Sequence, residues 1–228
     1  MLALLQRKSL RFLHPFLRRL VRYYLRKPRS YRFQGLRLTI YPSVFHPGLF
    51  YSTQYLIAYL SEVDLSRKRL LELGAGSGLI SMVAASHGAT VTSTDINAQA
   101  LEGIRENAAT NKLDIEVKES DLFDKVEPQR FDMIIINPPY YPKAPQNTAE
   151  SAWFCGENFE YFEKLFRQLE NENLNDIHIL MVLSEDCDIT RIGQISSKAG
   201  IALDEVSRKE IGGELNFIFR LKKSQAHS

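Results

Sequence analysis

Cysteine is scarce: Cys155 and Cys187 are the only two in 228 residues, and they lie far apart without CxxC spacing. That excludes a disulfide framework and a thiolate zinc site, and fits reduced thiols in a cytoplasmic protein. Histidine is equally sparse, with five residues at positions 14, 46, 87, 178 and 227 in no ligand-like grouping, so no metal site is expected. No run approaches the roughly 20 apolar residues of a membrane span. The opening MLALLQRKSL is too short and too basic for a secretory apolar segment. Negative charge is missing from the first quarter, where residues 1–61 hold 11 Lys or Arg and no Asp or Glu. The rest carries 18 basic against 27 acidic residues, so the net charge of +2 hides a basic arm on an acidic body.

What is present divides into a basic helical arm, 1–36, and a domain, 37–228. Residues 2–13 and 15–27 read as helices, with Pro15 at a helix start. In the second helix Phe16, Leu17, Leu20, Val21, Tyr24 and Leu25 share a face, opposite Arg18, Arg19, Arg22, Arg26 and Lys27. The basic residues of 7–37 suit an anionic partner such as RNA, a membrane surface or an acidic protein. The same pattern also fits a helix packed on the body, or an Arg-rich, acid-free targeting segment. YRFQGLRLTIYP then reads as two short strands around Gly35.

A helix over 52–62 leads into strands at 69–74, 90–95, 114–119 and 131–136, with helices at 78–88 and 97–111 between them. A helix over 157–172, strand 177–183, a helix near 189–199 and strands near 201–208 and 215–222 follow. Such alternation predicts a mostly parallel sheet with helices on both faces, closed by an antiparallel hairpin around Gly212 and Gly213.

The apolar strand RLLELG runs into GAGSG and then a helical pattern, which places Gly74, Gly76 and Gly78 in a strand-to-helix turn that a ligand can approach closely. Nicotinamide and flavin enzymes share such turns with GxGxxG spacing, whereas here the third glycine comes one place early. Glu72 precedes the turn by two residues. Its carboxylate suits a cationic amino group and would repel a pyrophosphate, which favours S-adenosylmethionine. Asp95 ends the next strand, placed to accept two ribose hydroxyls, with Ile96 against adenine. Asp121 and Leu122 follow the third strand, where the acid can accept from the adenine amino group and the leucine can pack on the ring.

The fourth strand delivers Asn137, Pro138, Pro139 and Tyr140 to the same edge. The proline pair stiffens the loop and leaves the Asn137 amide oxygen and the Pro138 carbonyl as acceptors for the two hydrogens of an NH2 group. Tyr140 offers a flat face to a base or amide. The segment 141–156, with Trp153, reads as a loop that closes over the substrate.

These motifs resemble the class I S-adenosylmethionine-dependent methyltransferases, and within them the NPPY-bearing, HemK-like group, over about residues 40–222. VFHPGLFYSTQYLIAYL is similar to that group's segment before the glycine turn, with Thr53 at its threonine, Ser52 in place of its acid and spacing from Pro47 two residues longer. WFCGENFEYFEKLF and GGELNFIFRL resemble its later segments, with Cys155 and Phe159 replacing glycines. The resemblance implies a Rossmann-like, seven-stranded sheet and cofactor contacts from Thr53 and Asn137. It also implies methyl transfer to a planar amino nitrogen, either a glutamine of a translation protein or an exocyclic base nitrogen of RNA. The short basic arm differs from the larger helical domain of the bacterial release-factor enzymes and suits RNA, whose unpaired bases could stack on Tyr23, Tyr24, Tyr31 and Phe33. A noncatalytic methyltransferase-like subunit binding RNA or a membrane, or an NAD-dependent oxidoreductase, are the competing readings.

Overall fold

The computed structural model describes residues 26–42, 44–48 and 51–224. The expected arm helices at 2–13 and 15–27 lie outside these residues, save for Arg26 and Lys27. The chain opens with an antiparallel hairpin, β1 (Arg29–Phe33) and β2 (Leu36–Ile40). Next come α1 (Tyr51–Leu60), β3 (Arg69–Leu73), α2 (Leu79–Ser86), β4 (Thr90–Asp95), α3 (Ala98–Asn111), β5 (Ile115–Glu119) and β6 (Met133–Ile136). The second half holds α4 (Glu160–Leu169), β7 (His178–Ser184), α5 (Ile189–Lys198), β8 (Ile201–Ile211) and β9 (Glu214–Lys223).

Seven strands form one sheet in the order β5-β4-β3-β6-β7-β9-β8; the first five run parallel, and β9 is antiparallel to both its neighbours. Strand alternation sorts the core into two layers. Leu71, Leu73, Ile134, Ile136, Ile179 and Met181 meet Phe162, Phe166 and Leu169 of α4 and Ile192 of α5. Leu70, Met133, Ile135, Leu180 and Val182 face the other way, onto Leu56 and Leu60 of α1 and Leu79 and Met82 of α2. Because both faces are covered, β6 and the interior of β7 are apolar, as buried parallel strands require, and β3 is apolar between its first residue and the buried Glu72.

The expected division after residue 36 falls inside the hairpin, whose Leu36, Leu38 and Ile40 are buried in the α1–α2 layer. Two asparagines one turn apart on α3 bind the edge of β2. Asn107 Oδ1 accepts from the Thr39 N–H at 2.7 Å while its Nδ2 donates to the Thr39 carbonyl at 3.0 Å. Asn111 repeats the arrangement on Arg37, at 2.9 and 2.7 Å.

Two boundaries differ from expectation for backbone reasons. The long helix begins at Glu160 rather than 157, because Gly156 (φ 92°) and Phe159 (φ 65°) are left-handed and stop a helix from forming earlier. β8 runs on to Ile211, with a bulge between Glu205 and Ser207 that re-registers it on β9.

Candidate active site

The chain leaves β3 toward β4 on one side, and later returns to place β6 on the other. Loops after β3 and β6 therefore diverge and leave a crevice at the carboxyl edge, the position where open α/β sheets bind ligands. A cavity of about 470 Å³ occupies it. Thr53, Glu72, Gly74, Gly76, Asp95, Ile96, Asp121, Leu122, Asn137, Pro138 and Pro139 all line it, from five separate stretches of chain. Gly78 and Tyr140 do not.

All three glycines of the turn are left-handed, with φ of 64°, 52° and 72° at Gly74, Gly76 and Gly78. Space around a Cβ at Gly74 is open, whereas at Gly78 it would lie 2.9 Å from Ile104 Cγ1. The first glycine thus keeps room for a ligand, and the third lets α2 pack against α3.

Glu72 is buried at the floor, facing α2. Its Oε2 accepts from the Ser81 N–H at 2.8 Å and the Ser81 hydroxyl at 2.5 Å, and Ser93 donates to that hydroxyl at 2.6 Å. Burial pushes its carboxyl up to about 7; the Ser81 bonds restrain the rise and the nearby Asp95 charge adds to it. Among the described residues no cation pairs with this acid at the cavity wall. Asp95 Oδ2 accepts from the Gly76 N–H and Oδ1 from the Asn97 N–H, both at 2.8 Å, so its carboxylate is aimed with lone pairs to spare. Burial raises its pKa as well, against those N–H bonds.

Beyond β5, Leu122 is left-handed (φ 53°) and buried, supported by the Ser120 hydroxyl donating to its carbonyl at 2.8 Å. Asp121, expected as an acceptor for the adenine amino group, already accepts from a side chain. Lys164 of α4 donates to it at 2.6 Å and to Asp124 at 2.7 Å, while Gln168, one turn on, donates to Asp124 and accepts from the Phe123 N–H. Lys164, itself on the cavity wall, escapes sequence reasoning because nothing local marks it.

At the end of β6, Asn137 Nδ2 donates to Thr53 Oγ1 at 3.1 Å, and Asn137 Oδ1 accepts from the Tyr140 hydroxyl at 2.8 Å. Thr53 therefore reaches the asparagine as well as the cavity. Tyr140 is turned into the core, packed edge-on against Tyr141 at 6.4 Å between centroids. Phe45, Pro139 and Phe154 provide the flat apolar wall in its stead. The segment after Tyr140 is folded back on itself: Tyr141 N–H donates to the Trp153 carbonyl and Cys155 N–H to the Tyr141 carbonyl, each at 3.0 Å. Trp153 meets Phe45 at 5.1 Å between centroids, so the aromatic contact joins the segment over the glycine turn to the one after the prolines. Among the described residues no cluster of His, Cys, Asp or Glu could hold a metal, and no helix is long and apolar enough to cross a membrane.

Residues 36–154 match the methyltransferase small domain family. A Methanocaldococcus jannaschii protein named for protein N5-glutamine methyl transfer is 36% identical over 119 residues, 52% of this chain and 58% of that one. A ribosomal RNA small subunit methyltransferase C from Actinobacillus pleuropneumoniae is 38% identical over 116 residues, 50% of this chain and 35% of that one. The chain thus spans less than two thirds of either relative. In fold it is similar to Mtq2 in the E. cuniculi Mtq2–Trm112 complex that methylates the translation termination factor eRF1 (TM-score 0.61, 22% identity, 80% of this chain and 99% of that one). It is also similar to the T. thermophilus 16S rRNA N2 G1207 methyltransferase solved with AdoMet and guanosine (TM-score 0.57, 18% identity, 87% of this chain and 50% of that one). The family match takes in every loop from β3 to Phe154 that builds the cavity, and more than half of the sequence, so the chain belongs to the methyltransferase small domain family.

Proposed function

We propose that this chain is an S-adenosylmethionine-dependent N-methyltransferase acting on a planar amino nitrogen of a macromolecule, RNA in the first instance, in the cytoplasm. The observation that carries the reading is the meeting of the Glu72 floor and the Asn137–Pro138–Pro139 edge in one cavity.

The residues present fit the cofactor. Glu72, a buried carboxylate raised to about 7, has no cation beside it among the described residues, and a ligand ammonium would supply one. Asp95 has acceptor capacity for a pair of ribose hydroxyls, Ile96 offers an exposed apolar face, and the remaining lone pairs of Asp121 suit an amino donor. When bound, S-adenosylmethionine supplies an electrophilic methyl group on sulfonium. The protein's part is alignment. The Asn137 amide oxygen and Pro138 carbonyl accept the two N–H bonds of the acceptor and turn its lone pair toward the methyl carbon. In such a transfer the donor sulfur would leave as a neutral thioether, and no side chain need take the extra proton of the methylated nitrogen, which would pass to solvent. No strong base is needed, and such positioning is worth at most about 7–11 kcal/mol of a barrier.

The basic arm favours RNA over a protein acceptor, because the ten cations of residues 1–36, with no acid among them, attract phosphates. Glutamine remains the second reading, favoured by the relative named for glutamine methylation. The test is calorimetry with S-adenosylmethionine and, separately, NAD, on the wild type and Asp95→Ala. Sulfonium cofactor binding that weakens at least tenfold in the variant is expected. NAD binding alone would overturn the reading in favour of an oxidoreductase, and silence with both ligands would leave a noncatalytic binding subunit.

A further inference from the structure

We propose that Lys164 and Asp121 together read the edge of the cofactor's adenine ring: the Asp121 carboxylate accepts from the exocyclic amino group, and the Lys164 ammonium donates its remaining N–H to ring nitrogen N1. The inference rests on the S-adenosylmethionine reading and adds to it a cofactor-binding residue that neither the glycine turn nor the acids after the strands announce.

α4 turns one stripe toward the loop after β5. Glu160, Lys164 and Gln168 recur every four residues, while Phe162, Leu165, Phe166 and Leu169 are buried in the core. Gln168 accepts from the Phe123 N–H at 3.2 Å and donates to Asp124 at 2.6 Å, which by itself fastens the loop. Lys164 does more than repeat that. It donates to Asp124 at 2.7 Å and also to Asp121 at 2.6 Å. Lys164, Asp121 and Leu122 all line the cavity, whereas Gln168 and Asp124 do not.

An ammonium has three donors and no acceptor. Two of those on Lys164 go to the carboxylates, and its side chain keeps 26% exposure at the cavity wall. Burial opposes its charge, but the two carboxylates outweigh burial and raise its pKa, so it stays a donor. Asp121 takes the lysine on Oδ2, and its other lone pairs remain acceptors. The wall thus presents an acceptor and a donor side by side, 2.6 Å apart. Adenine presents the complement, an amino donor beside the N1 acceptor. A 6-oxo purine in the same pose, with a carbonyl beside an N–H, would set acceptor against acceptor and donor against donor. Ile96, Leu122 and Tyr161 also line the cavity and offer contact that any purine satisfies, so selection falls to the charged pair.

The test measures binding by calorimetry in the full chain and needs no turnover. Its probes are S-adenosylhomocysteine and the 1-deaza analogue, in which a C–H replaces N1 and the amino group is kept. Wild type should bind the analogue about tenfold or more weakly, the loss expected for one hydrogen bond to a charged donor. Lys164→Met should weaken S-adenosylhomocysteine by a similar factor and bind the two ligands within twofold of each other, a non-additive cycle. Gln168→Leu, which loosens the same loop, should keep the wild-type ratio. Equal affinity of wild type for the two ligands overturns the proposal, and that comparison changes the ligand alone, so it stands even where a variant fails to fold. A wild-type ratio in Lys164→Met also overturns it, as does a collapsed ratio in Gln168→Leu, because the lysine would then only fasten the loop. Wild type that binds neither ligand overturns the S-adenosylmethionine reading instead.

Discussion

Glu72 is where burial and charge conflict most directly. Its pKa rises from about 4.5 unfolded to about 7 folded, so its contribution to stability is greatest below pH 4.5 and is lost as pH climbs through 7. At pH 8 the cost is about 3 kcal/mol, and Glu72→Gln should therefore unfold at a higher temperature than wild type in alkali while binding S-adenosylmethionine poorly. For wild type, cofactor affinity should climb up to tenfold per pH unit below 7 and level off above it, a slope that Glu72→Gln should flatten. A calorimetric series showing equal slopes in the two proteins would reject the role given to this carboxylate. The position of Glu72 was legible in the sequence, as a lone acid in an apolar strand two residues before a glycine turn. The direction of Tyr140 was not: a motif names its loop, whereas burial of the ring depends on α4 and the end of β7, far along the chain.

Elements were legible where a period ran long enough, as in the alternating strands and the 14-residue α3. What escaped was the contact between them. The paired amides of Asn107 and Asn111 continue the hydrogen bonding of β2 onto a helix, leaving that strand edge closed to other chains. Asn107 is 3% exposed, so Asn107→Ala strands both Thr39 backbone groups. The loss should be about 1–3 kcal/mol, with the melting temperature falling about 2–4 °C for each kcal/mol. A melting curve superimposable on wild type would mean that the Asn107 bonds add nothing to what Asn111 and the apolar face already hold. Lys164 and Gln168 on α4 fasten the 121–124 loop in a similar way, and their partners lie 40 to 45 residues away, beyond the reach of any local pattern.

Across the whole molecule, the mostly parallel sheet with helices on both faces followed from strand–helix alternation, whereas the strand order that opens the crevice came only with the structure. The charge asymmetry was equally plain in the sequence, yet its surface came only with the hairpin. Arg32 and Arg37 face each other across β1 and β2 on the exposed side, and like charges directly opposed destabilise a sheet unless an anion lies between them. If that anion is a phosphate, Arg32→Ala with Arg37→Ala should weaken RNA binding at every sequence alike and reduce the slope of log affinity against log salt by about 2. An unaltered slope would remove the hairpin from the binding surface.

The helix that carries the paired asparagines also begins at the cavity, where Asn97 caps it and Ala100 lines the wall. Its 14 residues at 1.5 Å each make a rod of about 20 Å, with the cavity at one end and the hairpin fastened along the other. α3 thus acts as a rigid spacer that holds the hairpin a set length from the cavity.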